Sequence, residues 1–245
     1  MRDLVATATH LVVLTEEGRL VRLGHEGGSA TPLEIPGLQP AGPLGEGAGR
    51  VLFGTGPRVV AVDPESAAVA WEARLAVSGD ASVVEVFGEQ VLVRVVEPYG
   101  AATHIAVLDV ASGAARWSAQ ERGATFPARL GEAVAYQRWD RGDWLVQRSL
   151  ATGDPNEPVM IDPDRLEVPV ATLCGGLLVG ARDGFRLLAP DGTILGILRT
   201  PAEPSSWLLP TPDALYLAVE DGSLFAVGDG MQCGTWASRS AGSGP

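Results

Sequence analysis

A unit of about 40 residues that recurs along the chain is the feature that most constrains the fold. Each copy has apolar strands separated by an acidic or glycine-containing turn and a polar turn, as in 51–72 and 91–117. One position of the unit can be placed six times, in steps of 39, 46, 40, 40 and 39 residues. These positions are Gly24, Asp63, Asp109, Ser149, Ala189 and Gly228. Short strands at this period are typical of the four-stranded blades of a β-propeller.

A tryptophan recurs in three of the six copies. Trp71, Trp117 and Trp236 each lie eight residues after the repeated position, which is Asp63, Asp109 and Gly228 in those copies. We expect the two aspartates to order their turns by accepting hydrogen bonds from the turn backbone. The tryptophans are predicted to lie on outermost strands and to cover the contact between adjacent blades.

The strand pattern predicts how many blades the chain contains. Runs such as 91–96 and 214–219 are short, bounded by turns and apolar on both faces, as expected for middle strands between neighbouring blades. A first strand is expected near Leu4 to Ala8 and a last strand near Cys233 to Ala237. We therefore predict one all-β domain over 1–237, a six-bladed β-propeller of four-stranded antiparallel blades, and a flexible tail over 238–245. A five-bladed or open propeller is the alternative.

The repeat also resembles a known family. The Ala-Val-Asp…Trp pattern at 61–71, 106–117 and 226–236 resembles the pyrroloquinoline-quinone-like propeller repeat. This resemblance implies a propeller, and it implies a protein-binding platform of the kind that such repeats form in bacterial scaffold proteins. Nothing in the chain matches the calcium-bearing site of the quinone dehydrogenases, so neither a quinone nor any other cofactor is expected.

Charge and termini restrict the partners and the location. The formal net charge is −12, and all 18 cationic residues are arginine. Such a chain repels a phosphate backbone, so nucleic acid is not expected as a partner. No apolar stretch is long enough to predict a membrane span, and the start does not read as a signal peptide, which favours the cytoplasm. The lysine-free, alanine- and glycine-rich composition is typical of bacteria with GC-rich genomes.

The residue types that carry metal or catalytic chemistry are scarce and scattered. Cys174 and Cys233 have no paired spacing, and the three histidines are not clustered, so no metal site is predicted. His104 has no acidic residue or nucleophile placed with it by the sequence, and no catalytic residue is predicted. The glycine-rich run 42–49 lacks the Lys-Ser/Thr and the helix of a phosphate loop, and is expected to form an inner strand and its loops.

The 46-residue step points to a candidate binding surface. It places about six extra residues in the inner hairpin of the third blade, around 97–104, beside the equivalent hairpin of the fourth blade at 136–144. Aromatic and arginine side chains on adjacent loops are typical of protein-binding hot spots. The predicted partner-binding residues are Tyr99, His104, Arg138, Trp139, Arg141 and Trp144. Alternatively, the two tryptophans pack across their own hairpin and the arginines pair with Asp140 and Asp143.

These observations favour a non-catalytic scaffold or adaptor subunit that binds another protein, within a larger complex, through the loop face of the third and fourth blades. Two alternatives remain open at this point. One is a small-molecule or glycan sensor, and the other is a lyase or hydrolase, each using the mouth of the central channel.

Overall fold

The structure, a computed structural model, describes residues 3–98, 102–124, 127–139, 141–161, 171–173, 176–181, 184–200, 204–210, 214–219 and 223–228. Every named element in these ranges is a β-strand, and all the pairings between them are antiparallel. The chain divides into two compact units, Met1–Glu121 and Arg122–Pro245.

The first unit contains three four-stranded sheets, each built from consecutive strands. The first sheet contains β1 (Asp3–Ala6), β2 (His10–Leu14), β3 (Leu20–Gly24) and β4 (Thr31–Pro32). The second sheet contains β5 (Ala41–Gly47), β6 (Arg50–Thr55), β7 (Arg58–Val62) and β8 (Val69–Arg74). The third sheet contains β9 (Asp80–Phe87), β10 (Gln90–Val96), β11 (Thr103–Asp109) and β12 (Ala115–Glu121). The run 42–49 thus lies in the first strand of the second sheet, β5, and in the turn after it. The sequence predicted a strand and its loops here in place of a phosphate-binding loop.

The second unit repeats this arrangement. The fourth sheet contains β13 (Ala128–Leu130), β14 (Ala133–Trp139), β15 (Asp143–Ser149) and β16 (Val159–Ile161). The fifth contains β17 (Ala171–Leu173), β18 (Gly176–Ala181), β19 (Gly184–Leu188) and β20 (Ile194–Arg199). The sixth has three strands within the described residues, β21 (Pro204–Pro210), β22 (Ala214–Val219) and β23 (Leu224–Gly228). Its predicted last strand, Trp236 and the tail 238–245 lie outside those residues.

The repeated position found in the sequence has the same place in every sheet. It is the last residue of the third strand, as Asp109 is in β11, or the residue that follows it, as Asp63 follows β7. The all-β class and the antiparallel four-stranded sheets are therefore confirmed.

The middle strands are buried on both faces, as their apolar sequences predicted. In β6, Val51 and Phe53 belong to a core shared with the first sheet. Leu52, between them in the chain, belongs to a core shared with the third sheet. Side chains alternate along a strand, so a strand with two buried faces has to be apolar throughout. The fourth and fifth sheets share a similar core, which includes Leu145 and Leu177.

We call the interface between two consecutive sheets a seam. At the seam between the second and third sheets, the Trp71 Nε1–H donates to the Val110 carbonyl at 2.9 Å. At the seam between the first and second sheets, Arg22 donates to the Pro64 carbonyl at 2.8 Å. Gln147 donates to the Pro190 carbonyl between the fourth and fifth sheets. Each acceptor is the residue just after the repeated position, so one carbonyl of the repeat receives a donor from the preceding sheet at all three seams.

The two repeat aspartates order their turns as the sequence predicted. Oδ1 of Asp63 accepts hydrogen bonds from the backbone N–H groups of Glu65, at 2.8 Å, and Ser66, at 2.9 Å. Oδ1 of Asp109 accepts from the Ser112 hydroxyl at 2.7 Å and from its N–H at 2.9 Å. These donors favour the ionised carboxylate and lower the pKa of both aspartates below the usual value.

Replacing Ser112 with alanine should raise the pKa of Asp109 towards its ordinary value, because the hydroxyl is the largest cause of the lowering. A carboxylate with a lowered pKa stabilises the fold above its unfolded pKa and loses that contribution as the pH falls through its folded pKa. The variant should therefore lose stability mainly above a pH of about 4. NMR titration of the aspartate carboxyls measures the pKa change, and Asp191, which is held by Thr193, is the internal control. An unmoved Asp109 pKa would contradict this assignment.

Ala67 occupies a turn position that is glycine in the third and fourth copies of the repeat. Its φ is 61°, compared with 72° for Gly113 and 76° for Gly153. The left-handed backbone conformation costs an L-residue about 1–2 kcal/mol. Glycine does not have this cost, but it loses more conformational entropy on folding because its unfolded chain is more flexible. We expect Ala67→Gly to raise the free energy of unfolding by up to about 1 kcal/mol in urea denaturation. Gly113→Ala should have the opposite sign, because its Cβ would lie 2.5 Å from Cε3 of Trp71.

Candidate functional site

The inner hairpin of the third sheet carries the additional residues that the 46-residue step predicted. Strand β10 ends at Val96 and β11 begins at Thr103, whereas only Gly56 and Pro57 separate β6 from β7. The base of the longer loop is closed by a hydrogen bond from the Glu97 N–H to the Ala102 carbonyl, at 3.0 Å. Tyr99, the predicted aromatic residue of this loop, lies outside the described residues.

His104 has the acidic partner that sequence reasoning did not find. Its Nε2 lies 2.8 Å from Oε1 of Glu97, and its side chain is only 14% exposed. Gln120 Nε2 is 3.5 Å from the same carboxylate oxygen. The strand register brings these three side chains together. His104 lies opposite Val95 on one neighbouring strand and opposite Gln120 on the other, and Glu97 follows Val95 on the same face. This pair braces the base of the hairpin, and its two members come together only through the strand register.

The inner hairpin of the fourth sheet joins β14 to β15 and carries the other four predicted residues. The register places Arg138 opposite Trp144 and Trp139 opposite Asp143. Neighbouring cross-strand pairs point to opposite faces, so the tryptophans lie on opposite faces of the hairpin. The two rings therefore do not face each other across the hairpin. The rest of the alternative, in which the arginines pair with Asp140 and Asp143, stays a prediction.

The backbone of this hairpin is hydrogen-bonded to a neighbouring segment, while the Trp139 side chain stays partly exposed to solvent. The Trp139 N–H donates to the Gly123 carbonyl at 3.1 Å. A Cβ on Gly123 would lie 2.7 Å from the Trp139 carbonyl oxygen, so the two segments approach closely. The Trp139 residue nevertheless remains 50% exposed. A large aromatic side chain on an anchored backbone presents its surface at a low cost in conformational entropy.

A methionine missed by sequence reasoning lies beside Trp144, on the face of the hairpin opposite Trp139. Met160 on β16 lies opposite Trp144 and is 68% exposed. Arg141, at the turn, is exposed and has a φ of 54°. Exposed large apolar residues beside arginine are typical of interaction sites. We define the tryptophan-hairpin surface by five residues that lie on the two faces of this hairpin, at its turn and on β16, namely Arg138, Trp139, Arg141, Trp144 and Met160.

The two predicted halves of the binding surface belong to different compact units. His104 lies in the first unit and the tryptophan-hairpin surface in the second. The predicted clustering of Tyr99 and His104 with the four residues of the fourth sheet stays a prediction.

The other two histidines have structural partners. His10 Nδ1 lies 3.2 Å from Oε1 of Glu65, which also accepts from the Thr9 hydroxyl at 2.8 Å. His25 Nε2 lies 2.8 Å from the Thr7 carbonyl. Among the described residues, no three His, Cys, Asp or Glu side chains are grouped as a metal site would require. Cys174 and Cys233 lie outside those residues. No helix in the described part of the chain is long and apolar enough to cross a membrane.

A cleft of about 570 Å³ lies along the first sheet. Leu20, Leu33 and Ile35 are buried in its floor, and Arg19 and Glu34 are exposed at its rim. Its volume is within the range of small-molecule sites, and its lining is mainly apolar.

Comparison with known proteins gives matches in structure and none in sequence. No family model matches the chain, and no curated protein matches it. The computationally designed Ika8 protein superposes with a TM-score of 0.63 at 14% identity, over 93% of this chain and 70% of that one. BBS1N, solved in complex with ARL6DN, gives 0.62 at 12% identity, over 91% and 76%.

A third solved structure is also similar in fold. Quinohemoprotein alcohol dehydrogenase from Comamonas testosteroni gives a TM-score of 0.59 at 13% identity, over 93% of this chain and 45% of that one. At such identities the likeness shows the fold alone. The chain is thus similar in architecture to β-propeller repeat proteins, with antiparallel four-stranded sheets as its unit.

Proposed function

We propose that this chain is a non-catalytic scaffold that binds a partner protein through the tryptophan-hairpin surface. The observation that carries the proposal is Trp139, which is half-exposed on a backbone held by Gly123. Tryptophan and arginine dominate the binding energy of protein interfaces, and methionine is also enriched there. Arg138 and Arg141 offer guanidinium groups, which suit an acidic segment of the partner because arginine binds carboxylates through paired hydrogen bonds.

The proposal includes the architecture that brings the predicted residues together. We infer that the six sheets are the blades of one six-bladed propeller over 1–237. Equivalent hairpins of consecutive blades then project from the same side, so Tyr99 and the braced hairpin of the third sheet contribute to the same surface. The comparison with BBS1N, a fold of this kind solved in complex with another protein, supports the use of such a fold in protein binding.

The cleft along the first sheet supports a second candidate function. It favours a small-molecule sensor, because its floor is apolar and Arg19 and Glu34 at its rim supply polar groups for orientation. A small-molecule sensor needs no partner protein, so one experiment distinguishes the sensor from the scaffold.

The test is purification of the tagged full chain from its native host under mild conditions, followed by native mass spectrometry. A stoichiometric protein partner is the expected result. The complex should also be lost when Trp139 is replaced by alanine. Retained extra mass of small-molecule size, without a protein partner, would favour the sensor. A lone 25.5 kDa chain in repeated preparations would contradict the scaffold.

A further inference from the structure

The outer strand of the fifth sheet, β20, carries an apolar strip. Ile194, Leu195 and Ile197 are 46%, 38% and 42% exposed. Within the described part of the chain, β20 pairs only with β19 and forms the edge of its sheet. Three adjacent exposed aliphatic side chains on an edge strand are uncommon, because such edges invite association.

A β-bulge gathers the three side chains onto one side of the strand. Leu188 pairs with Ile194 and Leu187 pairs with Gly196, so Leu195 is an extra residue in β20. A bulge makes two successive residues share a face. Ile194 and Leu195 are accordingly both exposed, Gly196 is buried, and Ile197 returns to the exposed side.

The same bulge occurs in β8 and β12, but the exposed residues there differ in chemistry. The exposed positions of β8 are Val69, Ala70, Glu72 and Arg74, and those of β12 are Ala115, Arg116, Ser118 and Gln120. Charged and polar residues of this kind protect edge strands from association. In β20 the corresponding side chains are aliphatic until Arg199. The strip is therefore absent from β8 and β12, the other two outer strands that carry this bulge within the described residues.

We propose that this strip is a contact surface for a second copy of the chain, with the two β20 strands antiparallel about a twofold axis near Gly196. A twofold contact requires a surface that is complementary to itself. Aliphatic residues flank Gly196 on both sides, so the antiparallel arrangement places Leu195 of each copy beside Ile197 of the other. Each apolar side chain then meets another apolar side chain.

The charges at the ends of the strip favour this orientation. Antiparallel strands bring Arg199 of one copy towards Asp191 of the other, and parallel strands would bring the two Arg199 side chains together. The Thr193 N–H donates to Asp191 Oδ1 at 2.9 Å and helps to keep the pKa of Asp191 low, so this carboxylate is ionised at neutral pH. The contact therefore joins apolar side chains at its centre and opposite charges at both ends.

Net charge determines how strong the dimer is and how it responds to salt. Each copy has a formal charge of −12, so two copies repel each other at long range. The strip is also short, which corresponds to a weak interface. Raising the salt concentration screens the repulsion while leaving the apolar contact in place, so dimerisation should strengthen with salt.

Sedimentation velocity of the full chain tests the proposal at protein concentrations from about 1 µM to about 500 µM, in about 0.15 M and about 1 M salt. A concentration-dependent approach to the dimer is expected, and it should be stronger at high salt. Leu195→Lys or Ile197→Glu should each weaken association by at least about tenfold, because each buries a lone charge at the contact. Val69→Lys is the matched control, because Val69 is similarly exposed and lies beside the equivalent bulge of β8. This variant should leave association unchanged.

A mixture of two variants tests the register. When the Leu195→Lys chain is mixed with the Ile197→Glu chain, the introduced lysine and glutamate face each other in the antiparallel arrangement. The mixture should therefore associate more strongly than either variant alone. A wild-type chain that stays monomeric, an equal loss in Val69→Lys, association that grows beyond the dimer, or a mixture that does not recover would each overturn the proposal.

Discussion

Replacing Trp71 with alanine is expected to lower the free energy of unfolding by about 3–5 kcal/mol, the cost typical of a large aromatic residue removed from a core. Trp71 is 8% exposed and belongs to the core shared by the second and third sheets. Its ring lies against Gly113, where an added Cβ would be 2.5 Å from Cε3. Removing the ring leaves a cavity beside Gly113 and leaves the Val110 carbonyl without its Nε1–H donor.

Urea denaturation followed by far-ultraviolet circular dichroism measures this loss. Glu72→Ala is the matched control on the same strand, because Glu72 is exposed and its ion pair with Arg58, at 3.3 Å, lies at the surface. The control should change stability by less than about 1 kcal/mol. Trp71→Phe should fall between the two, since it keeps most of the apolar contact and loses the donor. A loss below about 1 kcal/mol for Trp71→Ala would contradict its place in the seam.

The largest effect on binding is expected at Trp139. Truncating a central tryptophan of an interface weakens binding by about 2 kcal/mol or more, which is about thirtyfold in the dissociation constant. Combining Trp139→Ala with Tyr99→Ala should therefore abolish capture of the partner by the tagged chain. Since the Trp139 residue is 50% exposed, the change in stability should stay within about 1 kcal/mol. Capture that survives the double replacement would contradict the proposed surface.

Arg141 provides a second variant that separates binding from folding. Its φ of 54° is a conformation that glycine adopts without strain. Arg141→Gly should therefore keep the stability or raise it slightly, while it removes a positive charge from the tryptophan-hairpin surface. Weaker capture with unchanged thermal unfolding is the expected result. Met160→Ala, on the next strand, tests whether the surface extends beyond the hairpin.

The repeat made most of the fold predictable from the sequence. The position shared by Asp63 and Asp109 marks the end of a third strand, because in these two copies the aspartate imposes the same hydrogen bonds on the turn that follows. Runs that are apolar on both faces identified the middle strands, because a strand between two sheets has no exposed side. The seam role of Trp71 followed from its fixed distance to that turn.

Features that depend on register or on distant residues were not predictable in the same way. The pairing of His104 with Glu97 needs the exact hairpin register, which the repeat does not define within an enlarged loop. Met160 was missed because its exposure depends on which residues of β16 face Trp144. The strip on β20 was missed because Ile194 and Leu195 share a face only through a bulge. A single inserted residue of this kind changes the face of a side chain without changing the apolar pattern.

The carbonyl contacts at the three described seams all run in the same direction along the chain. At each of the three described seams, the donor belongs to the sheet that is translated first and the acceptor carbonyl to the sheet that follows. A newly made turn therefore meets its donor on a sheet that has already left the ribosome, since synthesis proceeds from the amino terminus. Where the donor is Arg22 or Gln147, truncation from the carboxyl end leaves a polar side chain in water, where it is readily hydrated. Truncation from the amino end instead removes the donor of a partly covered carbonyl, so shortened chains should tolerate the first kind of loss better than the second.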